Sequence, residues 1–600
     1  MADAAVVIRP SPPPSIVRRL QWLVVRLRRW RKGHEWDEGA VLLVLGALIG
    51  VGAGLGVVAF YRLIDVSHLV FIQWPGVHLP RMLYIVYWPL LTAVGLWAAW
   101  LVVRHARIPD GQNVPDVKLA VAKHDAVVPG WPVLVRTLAS AITLGSGGSA
   151  GSEGPTAVLG AGLGSVLTRA FGLQPRHRKV LVGCGAAAGI AAAFNAPFAG
   201  AFFALEEILG SFRVDAFSPV VIASVAGALT VRPFLGAHPI FPMTQVPESH
   251  PMATTLLYPV LGIACGVVSA LFSRAYLAGP RVAARMPGPE WLRPLVGGAL
   301  VGVIVFASGG LLAGNGHLAI PAPVLGGLAW WVLLLITLAK IVATVITLNA
   351  GGSGGVFTPT LFVGAALGGG VGRLVTQLVP GDFVHPQAWA LVGMAGMVAG
   401  ATRAPLTAIF MVFEMTNDSA YIIPLIVVSV LALVTARRLA PYGLYDGWLA
   451  ARGEHLAHGV DEAVMDRIPL GAALERNIPT VRCDAMLEEL IAAAARTRYS
   501  VVPVVDENRR LVGLVSHHGL RNAIIARRAL EPLLVAEDLA EPIAQLRQDQ
   551  SLRDALRLMN AGGLDVVAVV EASGDIPALV GLLSRAGVLE AYERVLAHTV

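Results

Sequence analysis

The chain has 600 residues, 55% of them hydrophobic and only 14% charged, with a mean hydropathy of +0.67; that balance excludes a water-soluble globular protein and defines an integral membrane protein. The 65 Gly and 39 Pro fall inside apolar segments, so they signal packed and broken membrane helices, not disorder or collagen. Cys184, Cys265 and Cys483 lie far apart without a C-x-x-C pair, so no disulfide framework, metal site or redox cofactor is expected.

In chain order, residues 1–39 form a basic arm that carries much of the net charge of +7, at Arg18, Arg19, Arg26, Arg28, Arg29, Arg31 and Lys32. Ahead of a first span, this is the positive-inside signal and not a nucleic-acid cue; a solvated arm beside anionic lipid fits it equally, and either way the N-terminus is cytoplasmic. The arm lacks an apolar core ending in a small-residue cleavage site, so no signal peptide is expected. Spans follow at Val41 to Tyr61 and Leu83 to Val103, each matching the roughly 20 apolar residues a crossing helix needs. Gly and Pro then cut the apolar runs at Leu144 to Pro155, Phe194 to Pro197, Asn349 to Pro359 and Thr402 to Pro405. Non-helical backbone at membrane depth lines a cavity or is buried in protein, so these breaks point to a site.

The membrane part is a duplication. Gly147-Gly-Ser-Ala-Gly-Ser-Glu-Gly-Pro155 reappears as Gly351-Gly-Ser-Gly-Gly-Val-Phe-Thr-Pro359, and Ala196-Pro197, Phe202 and Glu206 recur as Ala404-Pro405, Phe410 and Glu414. Paired broken helices in two halves are a transporter signature. We place the first repeat at 40–240, the second at 241–455 and a linker at 456–469. The soluble tail also repeats, with Ser500 to Asp506 and Leu511 to Ser516 echoed by Asp565 to Glu571 and Leu579 to Ser584. It reads as two small α/β units at 470–528 and 529–600, with a helix at Met486 to Ala495 in the first.

Glu153 is the sole charged residue between Arg136 and Arg169. An ionisable group at membrane depth must be paired, protonated or open to a water path. Pro155 suits a first helical turn, and the Gly-rich approach leaves amides facing a cavity, an anion-attracting helix N-terminus. A carboxylate there is a tethered anion that competes with a free one, and its protonation would couple protons to anions; the plain alternative is a Glu favoured by the helix dipole. Gly355-Val356-Phe357-Thr358-Pro359 repeats the frame without the acid and can supply a second N-terminus. Glu206 and Glu207 end an apolar run, where adjacent acids are commonly solvated. Only Glu206 is repeated, as Glu414, so Glu206 reads as structural and Glu207 as the proton-relay candidate. Arg403 and Glu414 read as a structural pair or as helix-end charges.

With Gly111-Gln-Asn-Val-Pro115 and Tyr445 added, these segments resemble the four anion-site stretches of the CLC family of chloride channels and proton-coupled chloride exchangers, over about residues 40 to 455. The resemblance implies an α-helical polytopic membrane protein of inverted-repeat type, forming a homodimer with one pore per subunit in the cell membrane. It implies an anion held by helix N-termini around Gly151, Ser152, Gly154, Gly355, Val356 and Phe357 and by the Tyr445 hydroxyl. Glu153 matches the gating glutamate and Glu207 the inner proton glutamate of exchangers, a position typically Val in channels, which favours chloride–proton antiport. Gln112 stands where the family's anion-coordinating Ser would be, and Ser152 where Arg is common. The tail resembles a pair of cytoplasmic CBS domains. Its stretches Gly513 to Gly519 and Gly581 to Gly587 lack the Asp that holds a nucleotide ribose, so a packing or dimer-stabilising role stands beside adenine-nucleotide binding.

Other classes fit less well. Ser149 and Ser353 satisfy G-x-S-x-G, but no repeated, buried His accompanies them, and His34-Glu35 is not followed by the spacing of a zinc protease. A passive anion channel lacks a use for Glu207, and a cation transporter would need more intramembrane acids. The expected partners are therefore an anion, protons and lipid, with no nucleic acid.

Overall fold

The computed structural model describes residues 38–78, 84–108, 113–123, 125–236, 256–315, 327–378, 385–454, 468–497, 499–517, 519–521, 523–524, 534–541, 545–562, 564–571 and 578–599. Residues 1–37 of the basic arm, residues 456–467 of the linker and Gln112 lie outside them. The chain divides into two compact units, Met1–Leu456 and Ala457–Val600.

The first unit opens with α1 (Glu38–His68), which runs on through a π-turn at Leu69–Gln73 into Trp74–His78, so the first span is longer than the apolar stretch 41–61 alone. The apolar run Leu69-Val-Phe-Ile72 gives the chain no reason to stop. Then come α2 (Tyr84–His105), α3 (Val114–Lys123), α4 (Gly130–Gly145), α5 (Glu153–Ala170), α6 (Pro175–Phe194), the short α7 (Pro197–Phe203) with a π-turn at Ala204–Ile208, and α8 (Val214–Leu235). The second half supplies α9 (Tyr258–Ala284), α10 (Leu292–Ala307), α11 (Trp330–Asn349), α12 (Phe357–Leu378), α13 (Pro386–Thr402), α14 (Pro405–Thr416), α15 (Ile422–Leu439) and α16 (Leu444–Ala450). Seven described segments are long and apolar enough to cross a membrane.

The helix breaks fall where Gly and Pro predicted them, and they repeat in geometry. Asn195 (φ 50°) ends α6 and Arg403 (φ 70°) ends α13 in the left-handed region, each followed one residue later by an Ala-Pro that starts the next helix. Packing repeats too. A Cβ on Gly160 would fall 2.0 Å from the Gly185 carbonyl oxygen, and one on Gly364 would fall 2.4 Å from the Gly393 carbonyl oxygen. Only glycine lets α5 approach α6, and α12 approach α13, this closely, which is how membrane helices gain contact without a hydrophobic drive.

Arg403 and Glu414 are not paired with each other. Arg403 donates to the carbonyls of Leu433, Ala436 and Ala440 (3.3, 3.0 and 2.8 Å) at the end of α15. Glu414 accepts from the amides of Phe198 and Ala199 (2.9 and 2.8 Å) in the first turn of α7. Both are helix-end charges, each placed at the helix end that its sign complements.

The second unit holds two equal three-stranded sheets. In one, β1 (Val481–Arg482) pairs parallel with β2 (Val501–Val505), which pairs antiparallel with β3 (Leu511–Ser516), with α17 (Leu487–Arg496) packed alongside. In the other, β4 (Gln545–Arg547) pairs parallel with β5 (Val566–Glu571), and β5 antiparallel with β6 (Ala578–Ser584), flanked by α18 (Leu552–Gly562) and α19 (Arg585–Thr599). Each antiparallel pair has a register shift at the same place, between Val504 and Val505 and between Val569 and Val570. Ser516 and Ser584 each accept the amide of the glycine three residues on, Gly519 and Gly587, at 3.0 Å.

Candidate functional site

The site forms where the two repeated loops meet. Gly151 and Gly355 bridge antiparallel, each amide donating to the other's carbonyl at 2.7 Å. Around this bridge the hydroxyls of the two halves exchange partners. Ser149 Oγ pairs with Thr344 Oγ1 at 3.0 Å and Ser353 Oγ with Ser140 Oγ at 2.9 Å. The Ser149 amide donates to Thr347 Oγ1 and the Ser353 amide to Thr143 Oγ1, at 3.1 and 3.0 Å. The G-x-S-x-G serines are thus tied into a buried polar seam that locks the loops together.

Glu153 starts α5 and is 1% exposed, and its carboxylate reaches across to the other repeat. Oε1 accepts the Phe357 amide at 2.5 Å, and Oε2 accepts the Thr358 hydroxyl at 2.6 Å, both in the first turn of α12. The first repeat's acid therefore sits on the second repeat's helix N-terminus, as an anion would. The flanking glycines make room for it: a Cβ at Gly151 would come within 2.1 Å of Oε1, and one at Gly355 within 2.3 Å.

Beside the docked carboxylate lies a small, partly open cavity whose wall includes Asn113, Gly154, Gly355, Val356, Tyr276 and Tyr445. Of the residues expected to hold an anion, Gly154, Gly355, Val356 and Tyr445 meet there. The Gly151 and Gly355 amides, expected as donors, are spent on each other, because the bridge between the loops satisfies them. The Phe357 amide is spent on Glu153, and Ser152 Oγ faces Tyr61 Oη at 3.5 Å, away from the cavity wall.

The π-turn after α7 sends the two adjacent acids to different partners. Glu206 accepts the Leu406 and Thr407 amides (3.0 and 2.7 Å) and the Thr407 hydroxyl (2.6 Å) at the start of α14, the counterpart of Glu414 on α7. Glu207 is 3% exposed, so it is not the solvated span-end acid that adjacency alone allows. Its Oε2 lies 3.0 Å from Lys118 Nζ, which also lies 2.8 Å from Asp446 Oδ1. Phe357, whose amide holds Glu153, packs its ring edge-on against Phe203, four residues before Glu207 (centroids 6.2 Å).

Two buried lysines escaped the sequence analysis. Besides Lys118, the fully buried Lys340 of α11 donates to the Leu312 and Gly314 carbonyls at 3.0 and 3.1 Å and lies 5.2 Å from the Phe362 ring centroid. A cation inside an apolar run was the available signal.

Two repeats of interrupted helices, locked at paired helix N-termini, define a multi-pass membrane protein of the transporter and channel class. The comparisons agree. The family described as "Voltage gated chloride channel" matches residues 93–437, and CBS domains match residues 470–526 and 535–594. The chain is 34% identical over 363 residues (60% of this chain, 84% of the other) to a "putative chloride channel protein ClcB-like" of Ralstonia nicotianae. It is 32% identical over 454 residues (71% and 93%) to the "H(+)/Cl(-) exchange transporter ClcA" of Salmonella agona. The crystal structure of a eukaryotic CLC transporter matches 94% of this chain and 98% of its own, with a TM-score of 0.68 at 19% identity, which shows the shared fold. The chain belongs to the voltage-gated chloride channel (CLC) family and carries a pair of CBS domains.

Proposed function

We propose that the chain is a secondary active antiporter that exchanges chloride, or a similar monovalent anion, for protons. The observation that carries this reading is the Glu153 carboxylate seated on the Phe357 amide and Thr358 hydroxyl. A tethered anion on an anion-binding helix end leaves when it is protonated or displaced, so the charged carboxylate and a free anion take turns at that helix end, and a proton on Glu153 makes room for the anion. Glu207, buried and held by Lys118, serves as the inner proton relay. Relatives named as proton–chloride exchange transporters support exchange over the alternative, a passive chloride channel.

The protein works as a homodimer in the cell membrane, with both termini cytoplasmic. Exposed apolar residues such as Ile222, Val225 and Leu229 on α8 and Ile426, Val430 and Val434 on α15 give lipid and a second subunit surfaces to cover. No enzymatic step is invoked, since the Ser149 and Ser353 hydroxyls are engaged between the repeats. The CBS pair serves packing or dimer stabilisation at least as readily as adenine-nucleotide binding, since Gly519 and Gly587, whose amides donate to Ser516 and Ser584, stand where the ribose-holding Asp would be. The test of exchange is whether an imposed chloride gradient drives protons uphill into proteoliposomes; dissipation of chloride alone favours the channel.

A further inference from the structure

We propose that Tyr276 is an anion ligand in this chain, its phenol hydroxyl donating together with that of Tyr445 to the ion held in the cavity beside Glu153. The inference rests on the reading of that cavity as an anion site and names a donor which the sequence motifs do not contain.

Tyr276 lies on α9, next to Leu277. The two helices α9 and α16 touch closely, since a Cβ added to Gly447 would sit 2.5 Å from Leu277 Cδ1. That contact brings Tyr276 to the same cavity wall as Tyr445 of α16. Tyr445 is only 5% exposed, and neither phenol has a hydrogen-bond partner among the described residues. Two phenols without a protein acceptor that line one cavity wall are placed to share an acceptor held in that cavity.

The surroundings fix the sign of that acceptor. The start of α5 at Gly154 and the approach to α12 at Val356 contribute the positive ends of two helices to the wall. The nearby carboxylate of Asp116 is already engaged, Oδ1 with Arg452 at 3.2 Å and Oδ2 with the Asn113 amide at 3.0 Å. The Arg452 guanidinium also stacks over Trp448, a further residue of the wall, 3.4 Å from the ring centroid. Uncharged hydroxyl donors beside these helix ends suit a partly dehydrated monovalent anion, and they would compete poorly for a cation.

The test is chloride titration of the purified full-length protein by calorimetry, comparing wild type with Tyr276→Phe, which removes one oxygen and keeps the ring. Loss of a hydrogen bond to an ion should weaken chloride binding about tenfold or more, with the unfolding temperature in chloride-free buffer unchanged. Unchanged affinity overturns the proposal. Bromide located by its anomalous scattering in wild-type crystals gives a check independent of the variant's folding. Density within hydrogen-bond distance of both phenol oxygens supports the assignment, and density touching Tyr445 alone overturns it. Should protons fail to move uphill while Tyr276→Phe still weakens binding, the exchange reading fails and this one stands. The reverse pattern removes Tyr276 and leaves exchange intact.

Discussion

Gly151 and Gly355 each donate an amide hydrogen bond to the other's carbonyl at 2.7 Å, although 204 positions separate them in the chain. This two-bond bridge sets the register of the repeats, and it is what allows an acid on one helix to reach the N-terminus of another. Everything around it is exchanged in pairs, from the Ser149 and Ser353 hydroxyl bonds to the acids that cap α7 and α14.

Thr358→Val removes one of the two donors that hold the Glu153 carboxylate. A hydrogen bond to a charged group contributes about 1.5–3 kcal/mol, so the docked acid loses ground to a free ion. Chloride should then displace it at concentrations about tenfold lower. Flux measured against chloride concentration checks this, and an unchanged half-saturation point contradicts it.

Lys118→Met strips the shared cation from Glu207 and Asp446. Removing one partner of a buried ion pair costs about 3–5 kcal/mol because a charge is left uncompensated. The variant should unfold at a markedly lower temperature, and adding Glu207→Gln should restore much of the loss. If the double variant is less stable than Lys118→Met alone, the lysine is not there to balance Glu207.

Glu206→Ala and Glu414→Ala each uncap a helix start in the opposite half. Each should cost about 1–2 kcal/mol, with Glu206 the larger because it also accepts the Thr407 hydroxyl. Thermal unfolding in detergent reads the loss. The ratio of protons to anions transported should not move, which separates these structural acids from Glu207.

Much of this was legible in the sequence because it depends on local chemistry. Pro155, Pro197, Pro359 and Pro405 can only start helices where they stand, and the glycines before Pro155 and Pro359 mark the breaks between. Glu153 stood out as a lone charge, and the recurrence of Glu206 as Glu414 announced a structural role. Partnerships across the fold were not legible. Lys118 meets Glu207 and Asp446 across 89 and 328 positions, and no periodicity encodes that meeting. The Ser and Thr residues of α4 and α11 look like filler in an apolar helix until the second repeat is laid against the first. The Gly151 and Gly355 amides looked free for an anion because a single loop cannot show that its repeat will satisfy it.

The central claim is that the Glu153 carboxylate and a transported anion occupy one site in turn. Paired chloride and proton fluxes in proteoliposomes, for wild type and Glu153→Gln, test it most directly. The account predicts that a chloride gradient drives protons uphill through wild type, and that Glu153→Gln passes chloride while moving no protons. An unchanged proton-to-chloride ratio in Glu153→Gln would contradict it.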